Sequence, residues 1–338
     1  MKRRIAKILA ITVGVVACVF LVLFFLAQKE APKKITYGIS YNVPYIHELG
    51  LDESEVLDAF LGDLGVRNIR MSAHWQLIEP IKDHYDFAWL DTDVEKAEAA
   101  NAHLILGVGR RLPRWPECHV PDWAGTLTWE EQKQQIREYI EAVVLRYKNS
   151  PAITYWQVEN EPYLGVFAYD YCGDLDEKFL EEEIALVHSL DPHHPILVTD
   201  SGNLGTWKGA YTHGDLFGTS VYVYFWNPEL GQFKTILPPW FYRAKEHVLS
   251  LLYGKKETLL IELSLEPWLL EPVTEVPVET QYSRMDIQKF NEIVEYAKET
   301  RYEKQYLWGG EWWYWLKEHG HPEMWKRGKE LFNENNQT

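Results

Sequence analysis

Two glutamates stand where this sequence could do chemistry. Glu161 lies in the stretch Ile153-Thr-Tyr-Trp-Gln-Val-Glu-Asn-Glu-Pro-Tyr163. Its β-branched and aromatic residues open as a strand, and Pro162 ends it, so Asn160-Glu161 sits at a strand exit. A carboxyl beside an amide there is placed to give a proton to a ligand above a sheet. Glu262 lies in Thr258-Leu-Leu-Ile-Glu-Leu-Ser-Leu-Glu-Pro-Trp268. Three large aliphatics before it mark a strand buried on both faces, and an acid placed beyond them is costly unless paired or functional. Two carboxyls that face each other suit cleavage of a glycosidic bond, one protonating the leaving oxygen while the other attacks the anomeric carbon. Their separation is about 5–5.5 Å when configuration is retained and about 6.5–9.5 Å when it is inverted. The ionised member of such a pair raises the pKa of its neighbour and keeps it a proton donor near neutral pH.

Alternating strands and helices must hold the pair. The sequence predicts strands over 35–41, 66–75, 103–108, 153–158, 195–199, 216–224, 258–263 and 306–313. Helices are predicted over 53–64, 90–100, 129–147, 175–190, 239–253 and 283–300, with a short one after the last strand. The helix between the fifth and sixth strands is weak. Eight strands mostly separated by helices are the count for an α/β fold of the (β/α)8 TIM-barrel type. A doubly wound open sheet is the alternative, but no Gly-x-Gly-x-x-Gly turn follows the first strand. We expect one barrel domain over 35–330, preceded by residues 1–34 and followed by a polar tail over 331–338.

In a barrel the chemistry lies at the C-terminal ends of the strands. Those ends carry Arg70, His74 and Trp75, then Gly109-Arg110-Arg111, then Asn160-Glu161, Asp200, Tyr222, Tyr224, Glu262, Glu311 and Trp312. His74 and Trp75 are candidates for sugar contact as much as for core. The Glu- and Pro-rich segment 266–279 is long for a strand-to-helix loop and would overhang the mouth. His193-His194 and His319-Gly-His321 are read as solvated turns, not as metal ligands, and no metal site is expected.

The order of these features resembles the clan A glycoside hydrolases, barrel enzymes with catalytic glutamates on strands four and seven. Asn160-Glu161-Pro162 matches that clan's acid/base motif. The resemblance implies Glu161 as acid/base, Asn160 as partner of the sugar 2-hydroxyl, and Glu262 as nucleophile. It implies Arg70, in Asn68-Ile-Arg-Met, as the arginine that holds the nucleophile ionised. Tyr222 is similar to the strand-six tyrosine that hydrogen-bonds the nucleophile, and Trp312 to the strand-eight tryptophan under the glycon. The Ile-Glu-Leu-Ser context of Glu262 departs from the Thr-Glu-x-Gly of many members, which leaves Glu266 a competitor. Gln157-Val-Glu-Asn-Glu is similar to the clan's β-galactosidase branch. The expected function is a retaining β-glycosidase without cofactor, acting on an oligo- or polysaccharide. A sugar-binding barrel without turnover and a transglycosylase are the alternatives.

The rest of the sequence bounds that reading. Of 338 residues 46% are hydrophobic and 15 are Trp, which argues for a full core with aromatic faces to spare for sugar rings. A net charge of −16 speaks against a nucleic-acid partner, because phosphate binding needs clustered Lys and Arg. Lys2, Arg3, Arg4 and Lys7 precede an uncharged apolar run over 8–27, which at 1.5 Å per residue covers about 30 Å. We expect a single transmembrane helix that anchors an extracytoplasmic domain, with secretion after signal cleavage as the alternative. Cys118 and Cys172 fall in loops after consecutive strands on one face of the sheet. A disulfide between them fits an exported domain, and two free thiols are the alternative.

Overall fold

The computed structural model describes residues 34–336, apart from Phe167, together with isolated positions before them. Eight parallel strands close into a barrel: β1 (Thr36–Ser40), β2 (Asn68–Ser72), β3 (His103–Val108), β4 (Ile153–Val158), β5 (Ile196–Asp200), β6 (Leu216–Val221), β9 (Thr258–Ser264) and β10 (Lys304–Trp308). The short strands β7 (Tyr224–Asn227) and β8 (Gly231–Lys234) pair antiparallel in the segment after β6. The barrel order is β1-β10-β9-β6-β5-β4-β3-β2, so consecutive barrel strands are neighbours all the way round. Two apolar layers hold it. Ile105, Leu197, Leu216, Leu259, Ile261 and Tyr306, contributed by five barrel strands, fill the interior. A larger cluster lies between the barrel and its helices, fed by stripes such as Ile136, Tyr139, Ile140, Val143 and Val144 of helix Trp129–Tyr147.

The helices start where their caps dictate. Thr128 accepts from the Glu131 amide while the Glu131 carboxylate accepts from the Thr128 amide, a reciprocal box that opens helix Trp129–Tyr147 and ends the long loop after β3. Asp176 caps helix Glu177–Leu190 and Asp286 caps helix Ile287–Glu299 through the same oxygen-to-amide bond.

Four expectations change. The eighth barrel strand stops at Trp308, because Gly309, at φ +109°, turns the chain into helix Gly310–Glu318. The expected tail is not separate in its described residues: helix Glu323–Asn336 covers 331–336, with Leu331 and Phe332 buried. The expected helix over 283–300 is two, Val278–Arg284 and Ile287–Glu299. The hairpin β7–β8 has no counterpart in the sequence reading; it packs Phe225 against Trp268 of the loop after β9 and so joins two walls of the mouth. The weak helix between the fifth and sixth strands is present as Lys208–His213. The expected membrane-spanning helix over 8–27 lies outside the described residues, and among those that are described no helix is long and apolar enough to cross a membrane.

Candidate active site

At the exit of β4 the backbone leaves strand geometry. Glu159 and Glu161 both adopt positive φ, +56° and +43°, which is unusual for side chains of this size and common at functional sites. The two therefore point differently. Glu159 turns back to β3, where its carboxylate accepts the Arg110 and Arg111 amides at 2.9 and 2.6 Å. Gly109, at φ +108°, makes room for it, since a Cβ there would stand 2.5 Å from Glu159 Oε1. On its far side Glu159 meets the buried Glu183, whose carboxyl is pushed well up by burial and by the charge of Glu159. Glu161 turns into the barrel mouth. Its amide donates to Thr199 Oγ1 at 2.9 Å, and its carboxyl accepts from the Ser220 hydroxyl at 2.8 Å.

Glu262 reaches the same space through a bulge. Thr219 pairs with Leu260 but Ser220 pairs with Glu262, and on the other edge Gln305 pairs with Leu260 but Leu307 with Leu263. One extra residue in β9 thus opposes both neighbours. A bulge re-aims the side chain that follows it. Ile261 belongs to the barrel interior, so alternation alone would send the next residue, Glu262, outward, yet its carboxylate meets Arg70 and Tyr222 at the mouth. Arg70 meets it: Nη1 donates to Glu262 Oε1 at 2.6 Å, Nε to Gln157 Oε1 at 2.8 Å and Nη2 to Asn160 Oδ1 at 2.7 Å. The Tyr222 hydroxyl donates to Glu262 Oε2 at 3.1 Å. Arg70, Asn160, Tyr222 and Glu262 therefore form one connected group at the C-terminal end of the barrel, and Glu161 joins it through Thr199, whose hydroxyl donates to Asn160 Oδ1 at 3.3 Å.

The two carboxyls are treated unequally. Burial raises the Glu161 pKa well above the usual carboxyl range, the charges of Glu262 and Glu117 raise it further, and the Ser220 hydrogen bond opposes them. A third acid, Glu117 from the loop after β3, is pushed up to about 7, mainly by burial, with Arg111 opposing and Glu262 adding. The chemistry open to this arrangement is proton donation from Glu161 and attack by the carboxylate paired with Arg70.

Other expected contacts fall elsewhere. Trp312 lies inside helix Gly310–Glu318, fully buried, its indole donating to Gln281 Oε1 at 2.7 Å, so it offers no surface to a ligand. Trp308, the last residue of β10, takes the strand-end place instead. Trp75 is also core, stacked near Tyr139 and edge-on to Trp123, with its indole on Glu79. His74 is fully buried and its pKa is driven well down by that burial; Nε2 stands 3.2 Å from Asn42 Nδ2 and the ring lies edge-on to His119. Glu266, the competitor for Glu262, is clamped at both oxygens by Arg114 at 2.5 and 2.8 Å and accepts the Trp308 indole at 2.7 Å. Cys118 and Cys172 are joined in a disulfide. Ser220, Thr199 and Glu117 are site residues that the sequence reading missed. Ser220 alone had a signal, two positions before Tyr222 on the same strand face.

Fold and site together define a clan A glycoside hydrolase: a parallel eight-stranded barrel whose fourth and seventh strands each end in an inward glutamate. More narrowly, the chain belongs to glycoside hydrolase family 42, whose model, described as beta-galactosidase, matches residues 60–308. Beta-galactosidase BgaA of Clostridium cellulovorans is 23% identical over 168 residues, 44% of this chain and 24% of that protein. Mannan endo-1,4-beta-mannosidase A of Hypocrea jecorina is 32% identical over 139 residues, 37% of this chain and 30% of that one. The chain thus spans less than a third of the length of either. Among solved structures, the beta-galactosidase of Halorubrum lacusprofundi aligns at TM-score 0.52 and 14% identity, over 81% of this chain and 52% of that one. GH5_18 from Bifidobacterium longum aligns at TM-score 0.55 and 13% identity, over 82% and 70%. At such identities these structures bear on the fold alone.

Proposed function

We propose that this chain is a retaining β-glycoside hydrolase, with Glu262 as nucleophile and Glu161 as acid/base, acting on a β-galactoside. The observation that carries the mechanism is the unequal treatment of the pair: Glu262 receives Arg70 and Tyr222, while burial and neighbouring charge raise the Glu161 pKa well above the usual carboxyl range. The sugar class rests on the family's description.

In the first step a Glu262 oxygen attacks the anomeric carbon as the bond to the leaving oxygen breaks. Glu161 gives its proton to that oxygen, so an alcohol departs and a glycosyl ester on Glu262 remains. In the second step Glu161, now a carboxylate, takes a proton from water. The water oxygen attacks the same carbon, the ester bond breaks, and Glu262 is released as a carboxylate with net retention. Glu161→Ala tests the assignment. We expect hydrolysis of 4-nitrophenyl β-galactoside by this variant to be accelerated by azide, with β-galactosyl azide as product. An azide-insensitive variant would remove Glu161 from the acid/base role.

The apolar run over 8–27 and the Cys118–Cys172 disulfide support the proposal that the barrel is exported and membrane-anchored. Recovery of the full chain in the soluble fraction without detergent would count against the anchor.

A further inference from the structure

Asn160 is oriented without ambiguity by what its oxygen accepts. Oδ1 receives Arg70 Nη2 at 2.7 Å, Gln157 Nε2 at 3.3 Å and Thr199 Oγ1 at 3.3 Å. The amide nitrogen is thereby the end left for the cleft, where it stands 3.5 Å from Glu117 Oε2.

Glu117 is as firmly placed. Its amide donates to the Arg114 carbonyl at 2.7 Å and its carbonyl accepts from Leu112 at 2.8 Å, which closes a tight turn. It holds φ +73°, a conformation that a non-glycine residue keeps only where its surroundings impose it. The next residue, Cys118, is bonded to Cys172. The contacts of its carboxylate, with Asn160 and with Arg111 Nε at 3.7 Å, both fall on Oε2, and no hydrogen bond to Oε1 comes from any described residue. The side chain keeps 20% of its surface exposed, and it acts electrostatically on both Glu161 and Glu262. A donor and an acceptor therefore meet at one point of the mouth. Arg70 ties that pair to the nucleophile, because it bonds Glu262 through Nη1 and the same Asn160 amide, at Oδ1, through Nη2.

We propose that Glu117 is a specificity-determining residue that, together with Asn160, clamps the hydroxyl next to the reacting carbon of the bound sugar. The hydroxyl oxygen accepts from Asn160 Nδ2 and its proton is donated to Glu117. A hydroxyl satisfies both partners at once, whereas a hydrogen satisfies neither and a bulky acetamido group does not fit between them. The substrate class is thus a β-glycoside with a free 2-hydroxyl. This inference rests on the hydrolase reading above and adds Glu117 to it.

The test compares 4-nitrophenyl β-galactoside with its 2-deoxy counterpart in the parent chain, Glu117→Ala and Glu117→Gln. Above the Glu117 pKa of about 7, where its carboxyl is ionised, a lost hydrogen bond to it corresponds to a fall of about 10- to 100-fold. We expect Glu117→Ala to lower kcat/KM on the galactoside by that factor, with a fall on the 2-deoxy substrate at least tenfold smaller, and Glu117→Gln to lie between. Equal falls on both substrates, with the Cys118–Cys172 bond intact, would make Glu117 a purely structural residue and overturn the clamp while leaving the hydrolase reading standing. A parent chain that turns over no aryl β-glycoside would overturn the hydrolase reading, and the clamp with it.

Discussion

Two arginine–glutamate clusters stand at the same barrel mouth, and they differ in what their carboxylates have left to offer. In the first, Arg70 spreads its three nitrogens over Gln157, Glu262 and Asn160, so that Glu262 receives a single guanidinium bond and one from Tyr222. In the second, Arg114 spends two donors on Glu266, which also takes the Trp308 indole. The Arg114 guanidinium lies over the rings of Tyr45 and Trp308, and Glu311 stands 3.8 Å from it. The second cluster ties the loop after β3 to the loop after β9 and to β10, and a Cβ at Gly309 would stand 2.8 Å from the Glu266 Cβ. Glu266 is thus a fastener. The first cluster faces Glu161, whose carboxyl pKa is raised by burial and by the charges of Glu262 and Glu117. Residue type does not separate the two clusters; the geometry of the donors does.

Removing the charge of either glutamate separates the two clusters most strongly. Glu262→Gln should lower kcat/KM on an aryl β-galactoside on the order of 10^4-fold or more, as loss of a nucleophile does. Glu266→Gln should lower it at least a hundredfold less, and a reversed order would move the nucleophile to Glu266. Next in size is Glu161→Gln. We expect a fall of about 10²–10⁴-fold on substrates with poor leaving groups. The raised Glu161 pKa means that the acid is lost only as pH rises through it, so the parent's alkaline limb in kcat/KM should vanish in the variant. A limb that persists would belong to another group.

Arg114→Leu should act on stability more than on chemistry. Leaving Glu266 and Glu311 without their cation costs about 3–5 kcal/mol by analogy with other one-sided deletions of buried pairs. Urea unfolding measures it, and an unchanged midpoint would contradict the fastener role. The smallest effect is a pH slope. Burial lifts both Asp93 and Glu311 to about 7, above the values of the unfolded chain. Between about pH 4.5 and 7 the folded state then binds more protons than the unfolded one, so these groups make stability fall as pH rises through that window. Asp93→Asn should flatten the slope, which a steeper one would refute.

The barrel was legible because β-branched strands and amphipathic helices alternate along the whole chain, and Pro162 marks the exit of β4. Glu161, Glu262, Arg70, Asn160 and Tyr222 could be named because they sit at or near strand ends. How Glu262 comes to face inward was not legible. It depends on a bulge in β9, which is a property of the register with β6 and β10 and leaves no mark in a run of aliphatics. Trp312 was mistaken for a strand-end residue because Gly309 and Gly310 read as strand interior, although φ +109° at Gly309 makes them a turn. Glu117 was invisible for a related reason: its place is set by loop hydrogen bonds and a disulfide, not by a periodic pattern.

In the proposed mechanism Glu262 forms the covalent bond to the sugar. Incubation with an activated 2-deoxy-2-fluoro-β-galactoside, followed by peptide mass mapping, tests it most directly. A single adduct of one fluorosugar on Glu262, released slowly with recovery of activity, is the expected result. An adduct on Glu266, or turnover with inverted product and no adduct at all, would contradict it.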